Sequence, residues 1–370
     1  MKTFSVQTRI YSGEDGLKAL RRFRQRKIWI ICDGFLATSP LLERLKQALN
    51  ADNQIALFSD ITPDPTIATV VKGIEQMQAL RPDVVIGFGG GSALDAAKAI
   101  VWFSRQQGIN IDTCIAIPTT SGTGSEVTSA FVISDPEKNI KYPLFSDEIY
   151  PDIAILDPAL VASVPPNITA NTGMDVLTHA LEAYVSPRAS DFTDALAEKA
   201  AQLVFRHLPT ACRKGDCLIT RGKMHNASTL AGIAFSQAGL GINHAIAHQL
   251  GGQFHIPHGL ANALLLIPVI QFNAVDSRAR KRYARLARVC GISPAGSDDR
   301  QAVNQLIQRI EQLKTQCAIP RYLADLKLSE SQLEQRIPVM IAAAQADATI
   351  KTTPRPAAAE DIRDIIEALL

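Results

Sequence analysis

The sequence predicts an α/β domain followed by an all-α domain. Three observations carry this. Apolar runs alternate with amphipathic segments up to Leu156, the rhythm of a mostly parallel sheet with helices on both faces. Two of those runs end in turns rich in glycine and hydroxyl groups. After Val164-Pro165-Pro166 the β-branched runs thin out, and long segments rich in Ala, Leu, Gln and Arg take over. The two prolines therefore mark the expected boundary, with domains over residues 1–164 and 165–370.

In order, TFSVQTRIY over residues 3–11 alternates as an edge strand or hairpin arm does. Gly13 to Arg26 has helical character. Lys27 to Cys32 is a compact apolar strand that ends at Asp33-Gly34. Pro40 to Leu49 is amphipathic and helical, and Ile55 to Phe58 is a strand. The next helix runs to about Leu80, with Asp64 or Thr66 as its cap. Asp83 to Phe88 is a buried strand that runs into Gly89-Gly90-Gly91-Ser92, and a helix follows from Ala93 to Trp102. Thr113 to Ile117 is a second buried strand, followed by Pro118 and TTSGTGSEVT. Phe131 to Ser134 and Ile153 to Leu156 are further strands. Beyond the prolines, helices are expected over 167–185, 191–208, 221–239, 242–252, 259–272, 277–289, 299–317, 329–346 and 359–370.

Composition narrows the classes of function. The 370 residues are 46% hydrophobic and 20% charged, with a formal net charge of +2. That is the balance of an ordinary soluble globular protein, with no basic block long enough to grip a nucleic acid. The longest apolar stretch, Leu260 to Ile270, contains Asn262 and Pro268 and is too short to span a bilayer. The six cysteines form no CxxC pair. Scattered single thiols and an N-terminus without a signal-peptide core fit a cytoplasmic protein.

The first candidate site is the pair of loops. A strand–GGGS–helix junction presents backbone N–H groups and the positive end of a helix dipole, where a phosphate could sit. Taken alone, it serves equally as a tight turn. A second such loop, Thr119 to Ser125, favours a cofactor crevice at the strand ends. Asp33, at the end of a strand, could accept hydrogen bonds from ribose hydroxyls and repel a 2′-phosphate; alone it would read as a turn aspartate.

The second candidate site is an imidazole cluster. Four of the seven histidines, His244, His248, His255 and His258, lie within GINHAIAHQLGGQFHIPHGLAN. Upstream, NTGMDVLTHALE offers Asp175 and His179 at i, i+4, one helical turn apart on one face. His179 alone would more often be a core histidine. Together Asp175, His179, His244 and His258 supply one carboxylate and three imidazoles, a donor set suited to iron or zinc. His248, one turn from His244, would face the same cavity, and His255 is the one most readily left to solvent.

The stretches GGGSALDAAKA, IPTTSGTGSEVT, TGMDVLTHALEAY and NHAIAHQLGGQFHIPHGLANA resemble the iron-dependent (group III) alcohol dehydrogenase family, and the likeness covers essentially the whole chain. It implies a Rossmann-like NAD-binding domain, a helical metal and substrate domain, and an active site in the cleft between them. It implies Fe2+, with Zn2+ as an alternative, on Asp175, His179, His244 and His258. NAD(H) contacts are implied at Asp33, Gly89, Gly90, Gly91, Ser92, Asp95, Thr119, Thr120, Thr123 and Lys141. Nothing in the residues themselves singles out Lys141, which reads as a surface lysine. His248 matches the extra histidine near the nicotinamide and is the expected catalytic residue.

The implied reaction is reversible hydride transfer between NAD(H) and a short aldehyde or primary alcohol, propionaldehyde and 1-propanol foremost. The expected partners are that small substrate, further copies of the chain, and no nucleic acid or membrane. Likeness to the propanediol-utilisation branch adds a place among the enzymes of a bacterial microcompartment. Two rivals stand beside this reading. One is a dehydroquinate-synthase-like or glycerol-dehydrogenase-like enzyme; the former would crowd basic groups beside the metal. The other is a non-catalytic scaffold, which would not need a complete ligand set.

Overall fold

Successive residues of the run Ile28 to Cys32 face opposite ways, and this period of two organises the first unit. Trp29 and Ile31 enter one core with Phe58, Val85, Ile100 and Phe131. Ile28, Ile30 and Cys32 enter a second core with Leu42, Ile86, Phe88 and Leu160. A strand buried on both faces has no polar alternation to show, so it reads as continuously apolar.

The computed structural model of the protein describes residues 3–137 and 140–370. Its contacts divide the chain into two units, Met1–Val164 with Asp216–Gly232, and Pro165–Gly215 with Ile233–Leu370. The strands are β1 (Arg9–Ser12), β2 (Lys27–Asp33), β3 (Gln54–Ile61), β4 (Val84–Gly89), β5 (Thr113–Pro118), β6 (Ala130–Asp135), β7 (Ile140–Phe145) and β8 (Ile153–Leu156). Among the described residues, β1, β8, β5, β4, β2 and β3 form one sheet in that order, every neighbouring pair parallel. The helices of this half are α1 (Gly34–Ala37), α2 (Pro40–Ala48), α3 (Ile67–Leu80) and α4 (Gly91–Gln106). From β2 the chain moves outward to β3, then crosses to β4 on the other side of β2. The winding therefore reverses between β2 and β4, and sheets of this kind take ligands at the carboxyl ends of such strands.

Some elements differ from expectation. The first strand is confined to Arg9–Ser12, and the expected helix from Gly13 to Arg26 is a 3-10 helix over Gly16–Arg22 with no side-chain cap. The strand β6 leaves the main sheet and pairs antiparallel with β7, which the sequence reading did not anticipate. Phe131 and Ile133 are buried while Val132 and Ser134 are only partly so, the half-buried pattern that an antiparallel hairpin tolerates. Thr66 caps α3 by accepting from Thr69 N at 3.1 Å, as one of the two expected residues.

The second half of the chain is helical: α5 (Pro166–Val185), α6 (Asp191–Arg213), α7 (Leu218–Ala238), α8 (Ile242–Phe254), α9 (His258–Asn273), α10 (Ser277–Val289), α11 (Asp299–Gln316), α12 (Glu330–Ala346) and α13 (Ala359–Glu367). Most of α7, up to Gly232, belongs to the first unit. In the second unit α5 packs on α6, α9 and α10, and it is buried continuously from Gly173 to Val185. A helix enclosed on all sides loses its apolar stripe, and polar Asp175, His179 and Glu182 all lie buried within it. The start of α9 sits against α5 so closely that a Cβ on Gly259 would lie 2.3 Å from the Asn171 carbonyl oxygen. Among the described residues no helix is long and apolar enough to cross a membrane.

Candidate metal centre and glycine-loop site

Three helices of the second unit bring four donors together. α5 supplies Asp175 and His179, α8 supplies His244, and α9 opens with His258. The turn between α8 and α9 makes the last placement possible. His255 ends α8 in the left-handed conformation (φ 54°), its N–H bonded to the Gly251 carbonyl at 3.0 Å, and Pro257 then stands at the N-cap of α9. The chain reverses, and the His258 ring comes to 5.3 Å from that of His244, centroid to centroid. One ligand atom from each of the four residues lies within 4.8 Å of all the others. The Nε2 atoms of His179, His244 and His258 stand 3.8, 3.7 and 3.6 Å from Asp175 Oδ1. A tetrahedral ion with bonds of about 2.1 Å needs ligand atoms roughly 3.4 Å apart, so the set fits a zinc-sized or iron-sized divalent cation.

The surroundings fit a cation too. Glu182, 4% exposed, accepts from His244 Nδ1 at 2.5 Å and from the Asn243 N–H at 2.8 Å. This bond turns His244 Nε2 towards Asp175, the usual orienting arrangement behind a metal-ligating imidazole. Burial alone would raise the Asp175 carboxyl, but the His179, His258 and His244 imidazoles hold it far below the usual carboxylate range. Burial opposes a charged His244, yet Glu182 and Asp175 push its pKa up to about 9. Two buried carboxylates among imidazoles make a pocket that favours positive charge. Asn262 Nδ2 lies 2.7 Å from Asp175 Oδ1, 3.1 Å from His244 Nε2 and 3.2 Å from His258 Nε2, so three of the four donors converge on one point. The Phe235 ring lies 4.5 Å from that of His179.

His248 stands beside this cluster. Its ring stacks on His258 at 5.5 Å and 19°, and it stands edge-on to His244 at 6.1 Å and 71°. Its Nδ1 bonds to Asp347 Oδ2 at 2.7 Å. His255 is exposed and acts as the helix cap.

In the first unit the two loops lie side by side at the ends of β4 and β5. Thr119 N–H donates to the Gly89 carbonyl at 2.9 Å. A Cβ on Gly91 would be 2.7 Å from the Thr123 methyl, and one on Gly90 would be 3.5 Å from Thr120 Oγ1. Gly89 has φ +152°, and its Cβ would be 2.6 Å from that of Ala93, so only glycine suits this turn. Asp33 caps α1 through Oδ1, 2.8 Å from Leu36 N, while Oδ2 faces Gly89 across the point where the winding reverses. Ser92 Oγ accepts from Asp64 N at 3.4 Å, and Lys141, exposed on β7, pairs with the Asp64 carboxylate at 2.6 Å.

Asp95 and its neighbours hold the second loop in place. Asp95 accepts from Ser125 Oγ at 2.5 Å and from Val132 N at 3.0 Å, so both its oxygens serve protein groups. Lys98, 2% exposed, donates to Ser125 O at 2.8 Å, to Thr128 Oγ1 at 3.2 Å and to the Ala130 carbonyl. Burial lowers its pKa. From behind, α7 presents His225, Thr229 and Gly232 on one face. His225 Nδ1 meets Ser121 Oγ at 2.9 Å, and Thr229 Oγ1 donates to buried Glu126 at 2.7 Å. A Cβ on Gly232 would be 3.0 Å from Gly124. Burial pushes the His225 pKa down to about 4.

Sequence reasoning missed Glu182, Asn262, Asp347, Lys98 and His225. Two of these carried a signal. Glu182 stands three residues after His179 and seven after Asp175, on their helix face, and Asn262 is one turn after His258. Asp347 lies 99 residues from His248 and had none.

Residues 7–158 match the family described as iron-containing alcohol dehydrogenase, and residues 169–370 match the C-terminal part of the Fe-containing alcohol dehydrogenase family. The chain is 72% identical over 370 residues to 1-propanol dehydrogenase PduQ of Salmonella typhimurium, covering 100% of both. Among solved structures it resembles a 1,3-propanediol oxidoreductase with a TM-score of 0.94 and 31% identity, covering 100% of each chain. A sulfoacetaldehyde reductase from Bifidobacterium kashiwanohense, solved in complex with NAD+, gives 0.89 and 28% identity over 100% of this chain and 98% of that one. The chain belongs to the iron-containing alcohol dehydrogenase family and is a metal-dependent, NAD(H)-linked oxidoreductase.

Proposed function

We propose that the protein interconverts a short-chain aldehyde and its primary alcohol with NAD(H), propanal and 1-propanol foremost. The observation that carries this reading is the convergence of one carboxylate and three imidazoles within 4.8 Å of one another. Glu182, Asn262, Phe235 and His248 surround the cluster. None of these four is a lysine or arginine of the kind a phosphorylated substrate would require, which favours a small uncharged one. The 72% identity to a 1-propanol dehydrogenase supports the chain length. In this reading residues 1–164, joined by Asp216–Gly232, are the dinucleotide domain, and the rest of the expected 165–370 is the metal domain.

Asp175, His179, His244 and His258 would hold the ion, iron by family and zinc by the same ligand types. A bound divalent ion supplies Lewis-acid polarisation of a carbonyl oxygen. The dinucleotide supplies or accepts the hydride. The protein's own part is orientation and proton handling. Glu182 fixes the ring of His244, and His248 exchanges the substrate hydroxyl proton. Backbone N–H groups from Gly89 to Ser92 would hold the pyrophosphate, with Thr119, Thr120 and Thr123 alongside. Asp33 would accept from the ribose hydroxyls, and Asp95 and Lys141 support the loops through Ser125 and Asp64. Sequence resemblance further supports a cytoplasmic homo-oligomer working among microcompartment enzymes.

The test is NADH oxidation across a panel of aldehydes of increasing length, run on anaerobically purified enzyme. Turnover should peak at short chains near propanal. A peak with phosphorylated or carboxylated substrates would contradict the reading.

A further inference from the structure

The bond between His248 and Asp347 is built with more care than a surface pair requires. Asp347 follows the last residue of α12 and caps the 3-10 helix Ala348–Thr352. Its Oδ1 accepts from Thr349 N at 2.9 Å and from Thr349 Oγ1 at 2.7 Å, which fixes the rotation of the carboxylate. The remaining oxygen, Oδ2, meets His248 Nδ1 at 2.7 Å. The 3-10 helix is in turn tied to the turn before α8. Thr352 Oγ1 donates to the Leu240 carbonyl, and a Cβ on Gly239 would strike Thr352 Oγ1 at 2.5 Å. The carboxylate and the helix that carries His248 therefore share one rigid support.

An ionised carboxylate only accepts, so Nδ1 must carry the hydrogen of this bond. The other ring nitrogen, Nε2, then bears the lone pair, on a ring stacked against His258. We propose that Asp347 is a positioning residue for the dehydrogenase reaction, holding His248 as the Nδ1–H tautomer so that Nε2 exchanges the proton of the substrate hydroxyl. The inference rests on the alcohol dehydrogenase reading above. In reduction, hydride from NADH forms the new C–H bond and the carbonyl π pair moves to oxygen. The His248 imidazolium gives that oxygen its Nε2 proton, and NAD+ and neutral His248 remain. Oxidation reverses each transfer. Asp347 keeps its own proton count throughout and stabilises the imidazolium, the role of an orienting acid behind a catalytic histidine.

The test is Asp347→Asn, because asparagine caps helices as well as aspartate does and keeps the 3-10 turn. In zinc-loaded enzyme, 15N NMR of the histidine rings should find His248 as the Nδ1–H tautomer in the wild type. The variant should shift it towards Nε2–H. With propanal and NADH, kcat should fall about tenfold to a hundredfold, while KM for NADH and metal content stay within about twofold. Thr349→Val, which removes one of the two bonds to Oδ1, should lower kcat by a smaller factor. A wild-type His248 found as Nε2–H overturns the proposal, as does unchanged kcat in Asp347→Asn or a loss only in proportion to lost metal. If the wild type itself oxidises no NADH with any aldehyde, the functional reading has failed, and the tautomer measurement still judges Asp347.

Discussion

The loops of the first unit and the cluster of the second use buried charge in opposite ways. Behind the loops, Asp95, Lys98, Glu126 and His225 spend their polar atoms on protein groups, fixing the backbone from Thr119 to Thr128. In the proposed reading, the groups offered to a phosphate there are main-chain N–H donors. In the cluster, Asp175, His179, His244 and His258 aim their polar atoms at one another, Glu182 stands behind His244, and the Asn262 amide meets three of them. A site made of backbone needs a buried polar scaffold to hold its shape. A site made of side chains needs only orienting partners. Damage to the first should therefore appear as lost dinucleotide affinity and stability, and damage to the second as lost metal.

The largest expected effect separates the two regions most sharply. His258→Ala should lose metal and lower kcat about a thousandfold, the equivalent of roughly 4 kcal/mol of charge stabilisation, with NADH binding little changed. Elemental analysis and steady-state assays check it; full metal with full activity would remove His258 from the ligand set. Next, Lys98→Met strands the carbonyls of Ser125 and Ala130 that the ammonium satisfies. It should cost about 3 kcal/mol in urea unfolding and weaken NADH binding, leaving metal content intact. Loss of metal with retained NADH affinity would reverse the comparison.

A pH series sharpens it further. Burial holds His225 neutral in the folded protein, with its pKa down at about 4 against 6.5 for the free group. The unfolded chain takes up the proton first, so this contribution is fully present above pH 6.5 and is lost as pH falls towards 4. The loss amounts to about 3 kcal/mol of unfolding free energy, and His225→Gln should flatten that part of the curve. An equal slope in the variant would assign the acid sensitivity elsewhere. The smallest effect concerns Asp33, whose Oδ2 faces the glycine loop. Asp33→Gly should shift kcat/KM towards NADPH over NADH by about tenfold, since a 2′-phosphate is no longer repelled. An unchanged cofactor ratio would leave Asp33 as a helix cap only.

What was legible in the sequence follows the same division. Three donors of the cluster stand at helical spacings, Asp175 with His179 and His244 with its neighbour His248, so local periodicity exposes them. His258 was legible as one of four histidines crowded into a single stretch. Glycine turns after apolar runs exposed the loops. The scaffold behind the loops was hidden, because a lysine within an alanine-rich helix looks like a solvated one until the fold buries it. His225 looked like any helical histidine, since its partner Ser121 is 104 residues away. The hairpin of β6 and β7 was half hidden, since pairing partners are set by tertiary contact and only the strand nearer the core is strongly apolar.

The most direct test of the account is the metal stoichiometry of anaerobically purified enzyme, measured with NADH-dependent propanal reduction before and after chelation. The account predicts about one divalent ion per chain, as expected for a single four-donor site, with activity that disappears on chelation and returns on adding Fe2+. Full activity in protein stripped of metal would contradict it.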